Sequence, residues 1–298
     1  MQHYDLIVIG TGVTGLAAAR QAAQEGLATA MLETLFFGGL VTNINALDGE
    51  IEGSGSDVAA GMMMEASKLG AKNVNAAATG IARDGDVIVV TSDAGEHRTR
   101  AVVIATGARL KRLGVPGEVE FEENGVSHCA DCDGPFYKGQ DVVVVGGGDS
   151  ALQEALVLTA FARQVHLVHR GNKFSARAHF VDQIAAHANI VVHLESQLEA
   201  ILGESSLSAV RVKTKGIESE IACTGVFPYI GLAPAGTFAP EAVLRDAGGH
   251  LLTDAALQTA MPGVFAAGAV RAGYGGMLTH ALAEGVAAAK SAAAAIRG

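Results

Sequence analysis

Cys129 and Cys132 are the residues whose types and spacing most directly suggest chemistry. They lie three positions apart, and the acid Asp133 directly follows the second of them. Cysteines at this spacing can close a small disulfide ring and exchange it with another thiol or disulfide. Two other interpretations are open, namely half of a structural zinc site and two small residues of an ordinary core.

The rest of the chain favours the redox interpretation. A closed zinc site needs about four ligands, whereas this chain has 3 cysteines and the third, Cys223, is isolated. The pair is followed by a valine run at 142–145 and by the glycine-rich segment 146–151. A position just ahead of a nucleotide-type turn favours a redox dithiol, and we predict no metal site.

Length and composition predict a two-domain α/β protein. The chain has 298 residues, of which 49% are hydrophobic, with 38 glycines, and this is enough for two substantial cores. A net charge of −10 argues against a nucleic-acid partner or an anionic membrane, since both need a basic surface. We see no signal peptide, membrane span or disulfide framework, and we expect a cytoplasmic protein.

The first nucleotide-binding pattern lies at the N-terminus. Predicted strands over 6–9 and 28–32 flank an alanine-rich helix over 16–25. The turn before this helix carries the glycines of a G-x-G-x-x-G motif: Gly10, Gly12 and Gly15. Glu33 follows the second strand, eighteen positions after the last glycine. This order is typical of a dinucleotide site, in which the helix N-terminus binds a pyrophosphate and the acid holds a ribose hydroxyl.

A second copy of the pattern follows the cysteines. The turn reads G-x-G-x-x-A, with Gly146, Gly148 and Ala151, between the strand over 142–145, a helix over 150–161 and a strand over 165–168. His169 and Arg170 stand where Glu33 stands in the first copy. An acid would hold a free 2′-hydroxyl, whereas arginine can accept a 2′-phosphate. Arg170, with Lys173 or Arg177 nearby, therefore favours NADPH over NADH, although a solvated basic loop explains the same residues.

The remaining elements complete two α/β domains. We predict a helix over 56–69, strands over 87–91, 100–104, 190–194 and 209–213, and a C-terminal helix over 278–296. Segments 252–254 and 263–268 resemble strand ends. Pro116 and Pro234 mark crossings between domains, so we expect a first domain of 1–113 and 237–298 with the domain 114–236 inserted into it. The lone His280 is expected to be a packed or surface histidine rather than a catalytic base.

These motifs resemble those of the low-molecular-weight thioredoxin reductases, members of the flavoprotein disulfide reductase superfamily with one Rossmann-like nucleotide-binding domain inserted in another. The resemblance covers nearly the whole chain and depends on motifs that occur in the same order. They are the glycines of the first turn with Glu33, then Ala105-Thr106-Gly107, and then segments 129–134, 146–151, 225–231 and 263–268.

The resemblance implies an electron relay. NADPH at the second turn would reduce FAD at the first, and the flavin would reduce a Cys129–Cys132 disulfide. The dithiol would then reduce an external disulfide, which in the family belongs to thioredoxin. By the same resemblance Cys132 faces the flavin, Cys129 attacks the substrate, Asp133 is the general acid and base, and the protein is a homodimer.

The resemblance also implies which residues hold the cofactors. Those expected to bind FAD are Gly10, Gly12, Val13, Thr14, Gly15, Glu33, Gly39, Leu40, Thr42, Asn45, Ala105, Thr106, Gly107, Gly268 and Ala269. Those expected to bind NADPH are Gly146, Gly148, Asp149, Ser150, Ala151, His169, Arg170 and Arg177.

The sequence departs from the family at several positions. They are Leu40 (Gln in the family), Ala269 (Asp), Gly275 and Gly276 (Arg and Gln), Gly171 and Ser175 (both Arg), and Asp131 (often Thr). These departures either weaken the polar contacts to FAD or indicate a flavin pocket of different shape, and NADH or no nicotinamide at all is an alternative to NADPH. The extra charge of Asp131 disfavours a thiolate beside it.

Two alternatives to the NADPH-driven relay follow from these departures. A similar flavoprotein could take electrons from ferredoxin or another carrier, or pass them to oxygen as a dithiol oxidase. A non-catalytic redox-sensing nucleotide-binding protein is the second alternative, because a fold alone does not dictate activity.

Overall fold

The computed structural model describes residues 2–44, 47 and 51–298. The chain forms two compact units, one of Met1–Arg109 with Ala233–Gly298 and one of Leu110–Leu232. Within the described residues, no helix is long and apolar enough to cross a membrane.

The units contain both strands and helices. In chain order they are β1 (Gln2–Ile9), α1 (Val13–Gln24), β2 (Thr29–Glu33), α2 (Gly55–Lys68), β3 (Lys72–Asn75), β4 (Ala78–Asp84), β5 (Val87–Ser92), β6 (Gly95–Ile104), β7 (Ala108–Leu110), α3 (Ala130–Asp133), β8 (Asp141–Gly146), α4 (Asp149–Leu158), β9 (Gln164–Val168), α5 (Ala178–Ala186), β10 (Ile190–His193), β11 (Ser196–Gly203), β12 (Leu207–Thr214), β13 (Ile217–Ala222), β14 (Gly225–Tyr229), β15 (Leu232–Pro234), β16 (Val264–Ala266) and α6 (Leu278–Arg297). Short 3₁₀ helices cover Gly39–Asn43, Gly134–Tyr137 and Gly268–Val270.

The first unit is built on a seven-stranded sheet. Its order is β3-β2-β1-β6-β5-β4, and β16 also pairs with β6. Five strands are parallel to one another, namely β3, β2, β1, β6 and β16, whereas β4 and β5 are antiparallel to their neighbours. The turns after β1, β2, β6 and β16 therefore all lie at the carboxyl edge of one sheet, where α/β proteins bind their ligands.

Both faces of this sheet are buried. Leu6 and Val8 pack into one hydrophobic cluster, whereas Ile7 and Ile9 pack into the other, as the two-residue period of a strand requires. Helix α1 packs closely against α6, because Gly285 has no side chain. A Cβ at Gly285 would lie 2.2 Å from the Thr14 carbonyl oxygen.

The second unit has a smaller sheet and a meander. The parallel sheet runs β10-β9-β8-β14, and β11-β12-β13 form a separate antiparallel sheet. Val142 and Val144 face the cluster under α4, whereas Val143 and Val145 face the cluster under the meander. The strand–turn–helix–strand order of the first unit is thus repeated, and the predicted α/β class with two Rossmann-like units is confirmed.

Two local predictions were wrong. The helix predicted over 150–161 ends at Leu158, and Thr159 to Phe161 continue as turns with hydrogen bonds to carbonyls three residues back. Segment 252–254 is not a strand, because Asp254 forms a turn in which its carboxylate accepts hydrogen bonds from the Ala256 and Gln258 amides at 2.9 Å each.

Candidate active site

The first glycine-rich turn brings backbone into close contact. Gly10 has φ +98°, a left-handed conformation that favours glycine. A Cβ on Gly10 would lie 2.6 Å from the Ala105 carbonyl oxygen, and one on Gly15 would lie 1.9 Å from the Gly10 carbonyl oxygen. Helix α1 begins after Gly12, and no side chain in the described part of the chain caps it. Its first amides can therefore bind an anion.

Glu33 is fixed beside this turn. Its Oε2 accepts a hydrogen bond from the Thr11 amide at 3.2 Å and lies 3.5 Å from the Thr11 hydroxyl. Its Oε1 accepts from the Thr34 and Leu35 amides at 2.9 and 3.1 Å. The carboxylate is thus held at the end of β2, next to the turn, as a ribose-binding acid requires.

The other flavin-site candidates of the first unit meet the same turn. The Thr11 carbonyl accepts from the Gly38 amide at 2.7 Å, which places the 3₁₀ helix containing Gly39, Leu40 and Thr42 next to it. The remaining candidates lie at the ends of two other strands, beside the turn. They are Ala105, Thr106 and Gly107 after β6, and Gly268 and Ala269 after β16. Asn45 lies outside the described residues.

A network at the end of β16 was not predicted from the sequence. Glu284 on α6 accepts a hydrogen bond from the Gly268 amide at 2.8 Å and pairs with Arg271 through two hydrogen bonds. A Cβ on Gly275 would lie 2.0 Å from Nδ1 of His280. The His280 ring therefore lies against the backbone of Gly275, in the space that a side chain at this position would take.

Cys129 and Cys132 form a disulfide, with their Cα atoms 5.3 Å apart. Cys129 is the N-cap of the short helix α3, and its Sγ accepts from the Cys132 amide at 3.2 Å. Cys132 is exposed, whereas Cys129 is half-buried. In the described part of the chain no group of three His, Cys, Asp or Glu side chains could hold a metal ion.

Asp133 is oriented by Ser127, another residue that the sequence did not single out. The buried Ser127 hydroxyl donates to Asp133 Oδ2 at 2.6 Å and accepts from the Cys129 amide at 3.2 Å. A cavity of about 430 Å³ adjoins Asp133 and is also lined by Phe136 and Tyr137. The Ser127 hydroxyl therefore links the Asp133 carboxyl to the Cys129 amide, and Asp133 borders a cavity from which water can reach a proton carrier.

The second glycine-rich turn is covered by its own chain. A Cβ on Gly147 would lie 2.2 Å from Nδ1 of His169, so the imidazole ring lies directly on the turn. The Gly147 carbonyl accepts from the Ser175 amide at 2.8 Å and from its hydroxyl at 3.1 Å. The ring nitrogen Nε2 of His169 lies 3.0 Å from the Lys173 carbonyl oxygen. The segment between β9 and α5 therefore closes on the turn.

The cations of this segment differ in what they contact. Arg177 donates to both carboxylate oxygens of Asp149, the first residue of α4, through its backbone amide at 2.7 Å and its Nε at 2.6 Å. Arg170 is exposed and has no hydrogen bond or ion pair with any described residue. Of the candidate 2′-phosphate ligands, Arg170 is thus free and Arg177 is engaged. Gly146, Gly148, Ser150 and Ala151 lie in the turn and the start of α4.

A parallel-sheet unit with a dinucleotide-type turn occurs twice in this chain, and one copy carries a cysteine pair that forms a disulfide beside an acid. These features define a nucleotide-dependent disulfide oxidoreductase.

The comparisons with known proteins agree with this class. Residues 4–292 match the model of the pyridine nucleotide-disulphide oxidoreductase family, and the chain belongs to that family. It is 36% identical over 296 residues to a thioredoxin reductase of Treponema pallidum, covering 97% of this chain and 96% of that protein. It is 33% identical to the "34.2 kDa protein in rubredoxin operon" of Clostridium pasteurianum, covering 97% and 96%.

The solved structures show the same fold. The crystal structure of Lactococcus lactis thioredoxin reductase has a TM-score of 0.91 at 33% identity, with 99% of both chains covered. The resemblance to low-molecular-weight thioredoxin reductases is therefore confirmed, as is the prediction of a flavin-dependent disulfide oxidoreductase. The Cys129–Cys132 pair fits the redox-active disulfide of such an enzyme.

Proposed function

We propose that this enzyme passes electrons from NADPH through FAD to the Cys129–Cys132 disulfide and on to a disulfide of a thioredoxin-like protein. The observation that carries the proposal is the Cys129–Cys132 disulfide with Asp133 at its side, in a chain related over nearly its full length to thioredoxin reductases.

The first unit is the proposed FAD domain and the second the proposed NADPH and dithiol domain. The uncapped α1, the close packing around Gly10 and the placement of Glu33 fit the pyrophosphate and ribose of FAD. The free Arg170 beside the second turn fits a 2′-phosphate. When bound, the flavin supplies the electron pair that breaks the disulfide.

The residues of the chain then handle the sulfurs and protons. Reduction leaves two sulfurs, of which Cys129 is the proposed attacking thiolate because the Cys132 amide points at its Sγ and stabilises negative charge there. Attack on the partner disulfide forms a mixed disulfide, and Cys132 resolves it. Asp133, supplied with water through the adjoining cavity, gives a proton to the departing partner thiol.

An anaerobic titration tests the proposal. NADPH should bleach the flavin absorbance of purified protein, and NADH should do so less efficiently. Cys129→Ser should still bleach but lose turnover with thioredoxin, whereas Cys132→Ser should accumulate a mixed disulfide with it. Cys223→Ser is the matched control, since burial raises the pKa of Cys223 to about 12 and keeps it unreactive. Protein without flavin absorbance would refute the proposal.

A second candidate keeps the dithiol but changes the electron donor. Arg177 is engaged by Asp149 and Gly171 offers no side chain, so the expected phosphate ligands are reduced to His169, Arg170 and Lys173. If NADPH and NADH both fail to bleach the flavin while reduced ferredoxin succeeds, the donor is a protein carrier. Oxygen uptake with a dithiol would identify the oxidase.

The family resemblance also supports a homodimer in the cytoplasm. Light scattering of the purified protein should therefore give twice the chain mass of 30.3 kDa.

A further inference from the structure

Glu154 on α4 is an acid beside the dithiol that the mechanism above does not use. Its Oε2 accepts a hydrogen bond from the Ala130 amide at 3.2 Å and another from the Tyr229 hydroxyl at 3.2 Å. The Ala130 amide also lies 3.2 Å from the Tyr229 hydroxyl oxygen. Ala130 is fully buried and directly follows Cys129. An acid, a phenol and an amide thus form one closed cluster at the residue next to the attacking sulfur.

Burial makes this acid easy to protonate. It raises the pKa of Glu154, the hydrogen bonds from Ala130 and Tyr229 oppose that rise, and the negative charge of Asp131 adds to it. Burial also raises the pKa of Tyr229, with the charge of Glu154 adding to the effect. Tyr229 therefore remains a neutral donor, and the exchangeable proton of the cluster belongs to Glu154.

Of the charged groups around α4, the one that acts on Glu154 lies on α3, the helix that carries the cysteines. The titratable groups on the elements packed against α4, besides Tyr229, are Asp131 and Asp133 on α3, His179 and Asp182 on α5, Asp141 on β8 and His166 on β9. Among these described groups only Asp131 acts on Glu154 by its charge. The site that Glu154 senses is therefore α3, which carries the cysteines.

We propose that Glu154 is a positioning residue that links proton uptake to the redox state of Cys129, acting through the Ala130 amide. Reduction adds two electrons and breaks the S–S bond. One sulfur takes up a proton and becomes a thiol, and the other becomes a thiolate. A thiolate on Cys129 repels the Glu154 carboxylate, so the carboxyl takes a proton from solvent. The inference rests on the proposed redox role of the pair, with the class's flavin chemistry as the source of the electrons.

Alkylation of the reduced protein tests the inference. The protein is reduced with dithiothreitol and treated with iodoacetamide between about pH 5 and pH 9, and modification of Cys129 is followed by mass spectrometry. Glu154→Gln keeps the acceptor for Ala130 but removes the charge, so Cys129 alkylation at about pH 6 should be roughly threefold to tenfold faster than in the wild type. Tyr229→Phe should also speed the alkylation of Cys129, but by less. The charged form of Glu154 then loses the hydrogen bond from Tyr229, so less of the carboxyl carries a charge.

Two matched variants separate this effect from general electrostatics. Glu204→Gln removes an exposed acid of the same unit and should leave the profile unchanged. Asp131→Asn should also speed alkylation, but its exposed charge is screened, so the effect should vanish at about 1 M salt, whereas the effect of Glu154→Gln should persist. An unchanged profile in Glu154→Gln, or an equal shift in Glu204→Gln, would overturn the inference.

The readout is independent of the proposed function. Alkylation after chemical reduction needs neither a nicotinamide nor a protein disulfide. A protein that fails to reduce thioredoxin but shows the expected Glu154→Gln profile would refute the proposed substrate and leave the role of Glu154 standing. Loss of folding is checked by the urea midpoint of each variant.

Discussion

The two glycine-rich turns of this protein have the same strand–turn–helix design but different surroundings. The corresponding glycines are alike, because a Cβ on Gly12 would lie 3.7 Å from the Gly38 carbonyl oxygen and one on Gly148 would lie 3.9 Å from the Ser175 hydroxyl oxygen. The turns differ one residue earlier, where the first has Thr11 and the second has Gly147, at which a Cβ would collide with the His169 ring. Glu33 holds the first turn from its side through the Thr11 amide, whereas Arg177 ties the second to its own loop through Asp149. The first turn, where we propose FAD, is thus held by an acid, and the second, where we propose NADPH, is covered by a segment that the nucleotide would have to displace or use.

The largest expected difference between the turns concerns their third small residue. Gly15→Ala would place a Cβ 1.9 Å from the Gly10 carbonyl oxygen. Because this oxygen belongs to the backbone, it cannot move aside as a side chain could, and overpacking of this kind typically costs about 1–3 kcal/mol or more. We expect loss of flavin from the purified protein and a lower urea midpoint. The reverse change at the equivalent place, Ala151→Gly, should cost only about 1 kcal/mol and leave the flavin content intact. Full flavin content in Gly15→Ala would remove the distinction.

A second test removes the acid of the first turn. Glu33→Gln keeps the shape but loses the charge that accepts hydrogen bonds from the Thr11, Thr34 and Leu35 amides. Hydrogen bonds to charged groups contribute roughly 1.5–3 kcal/mol, so flavin should bind about tenfold more weakly or worse. Flavin fluorescence on dilution measures the release, with Glu65→Gln, an exposed acid paired with Arg20, as the control. Equal flavin affinity in both variants would mean that Glu33 does not touch the nucleotide.

The third test distinguishes the free cation of the second turn from the engaged one. Arg170→Gln should raise the KM for NADPH about tenfold, as loss of a charge-assisted phosphate contact does, and leave the KM for NADH unchanged. Arg177→Gln should change the NADPH-to-NADH ratio less, because Asp149 already occupies that guanidinium. A larger effect from Arg177→Gln would show that the ion pair opens and that Arg177 binds the phosphate.

Whether a feature could be predicted from the sequence depends on how far apart along the chain its contacting residues lie. The two strand–turn–helix units, Glu33 and the cysteine pair are local patterns, in which spacing along the chain carries the information. Glu154 and Tyr229 meet Ala130 across 24 and 99 residues, and no spacing encodes such contacts. The ion pair between Arg177 and Asp149 was missed for a related reason. A basic residue near a turn is interpreted as a phosphate ligand when the position of its acidic partner is not known.

The smallest expected effect is the acid sensitivity of the cover on the second turn. The backbone amide of Arg177 lowers the pKa of Asp149, the guanidinium lowers it further, and desolvation opposes both. A lowered pKa means that the stabilisation is present above the unfolded carboxyl value and is lost as the pH falls through the folded one.

The segment over 170–177 should therefore exchange its amide hydrogens faster on acidification, once corrected for intrinsic rates, while α4 itself stays protected. Asp149→Asn should remove this dependence and leave the first turn unaffected. Because Asp149 is exposed to solvent, salt should reduce the difference. If the protection of the segment were independent of both pH and Asp149, the cover would depend on the His169 ring and Ser175 alone, and the contrast with the first turn would be one of shape rather than charge.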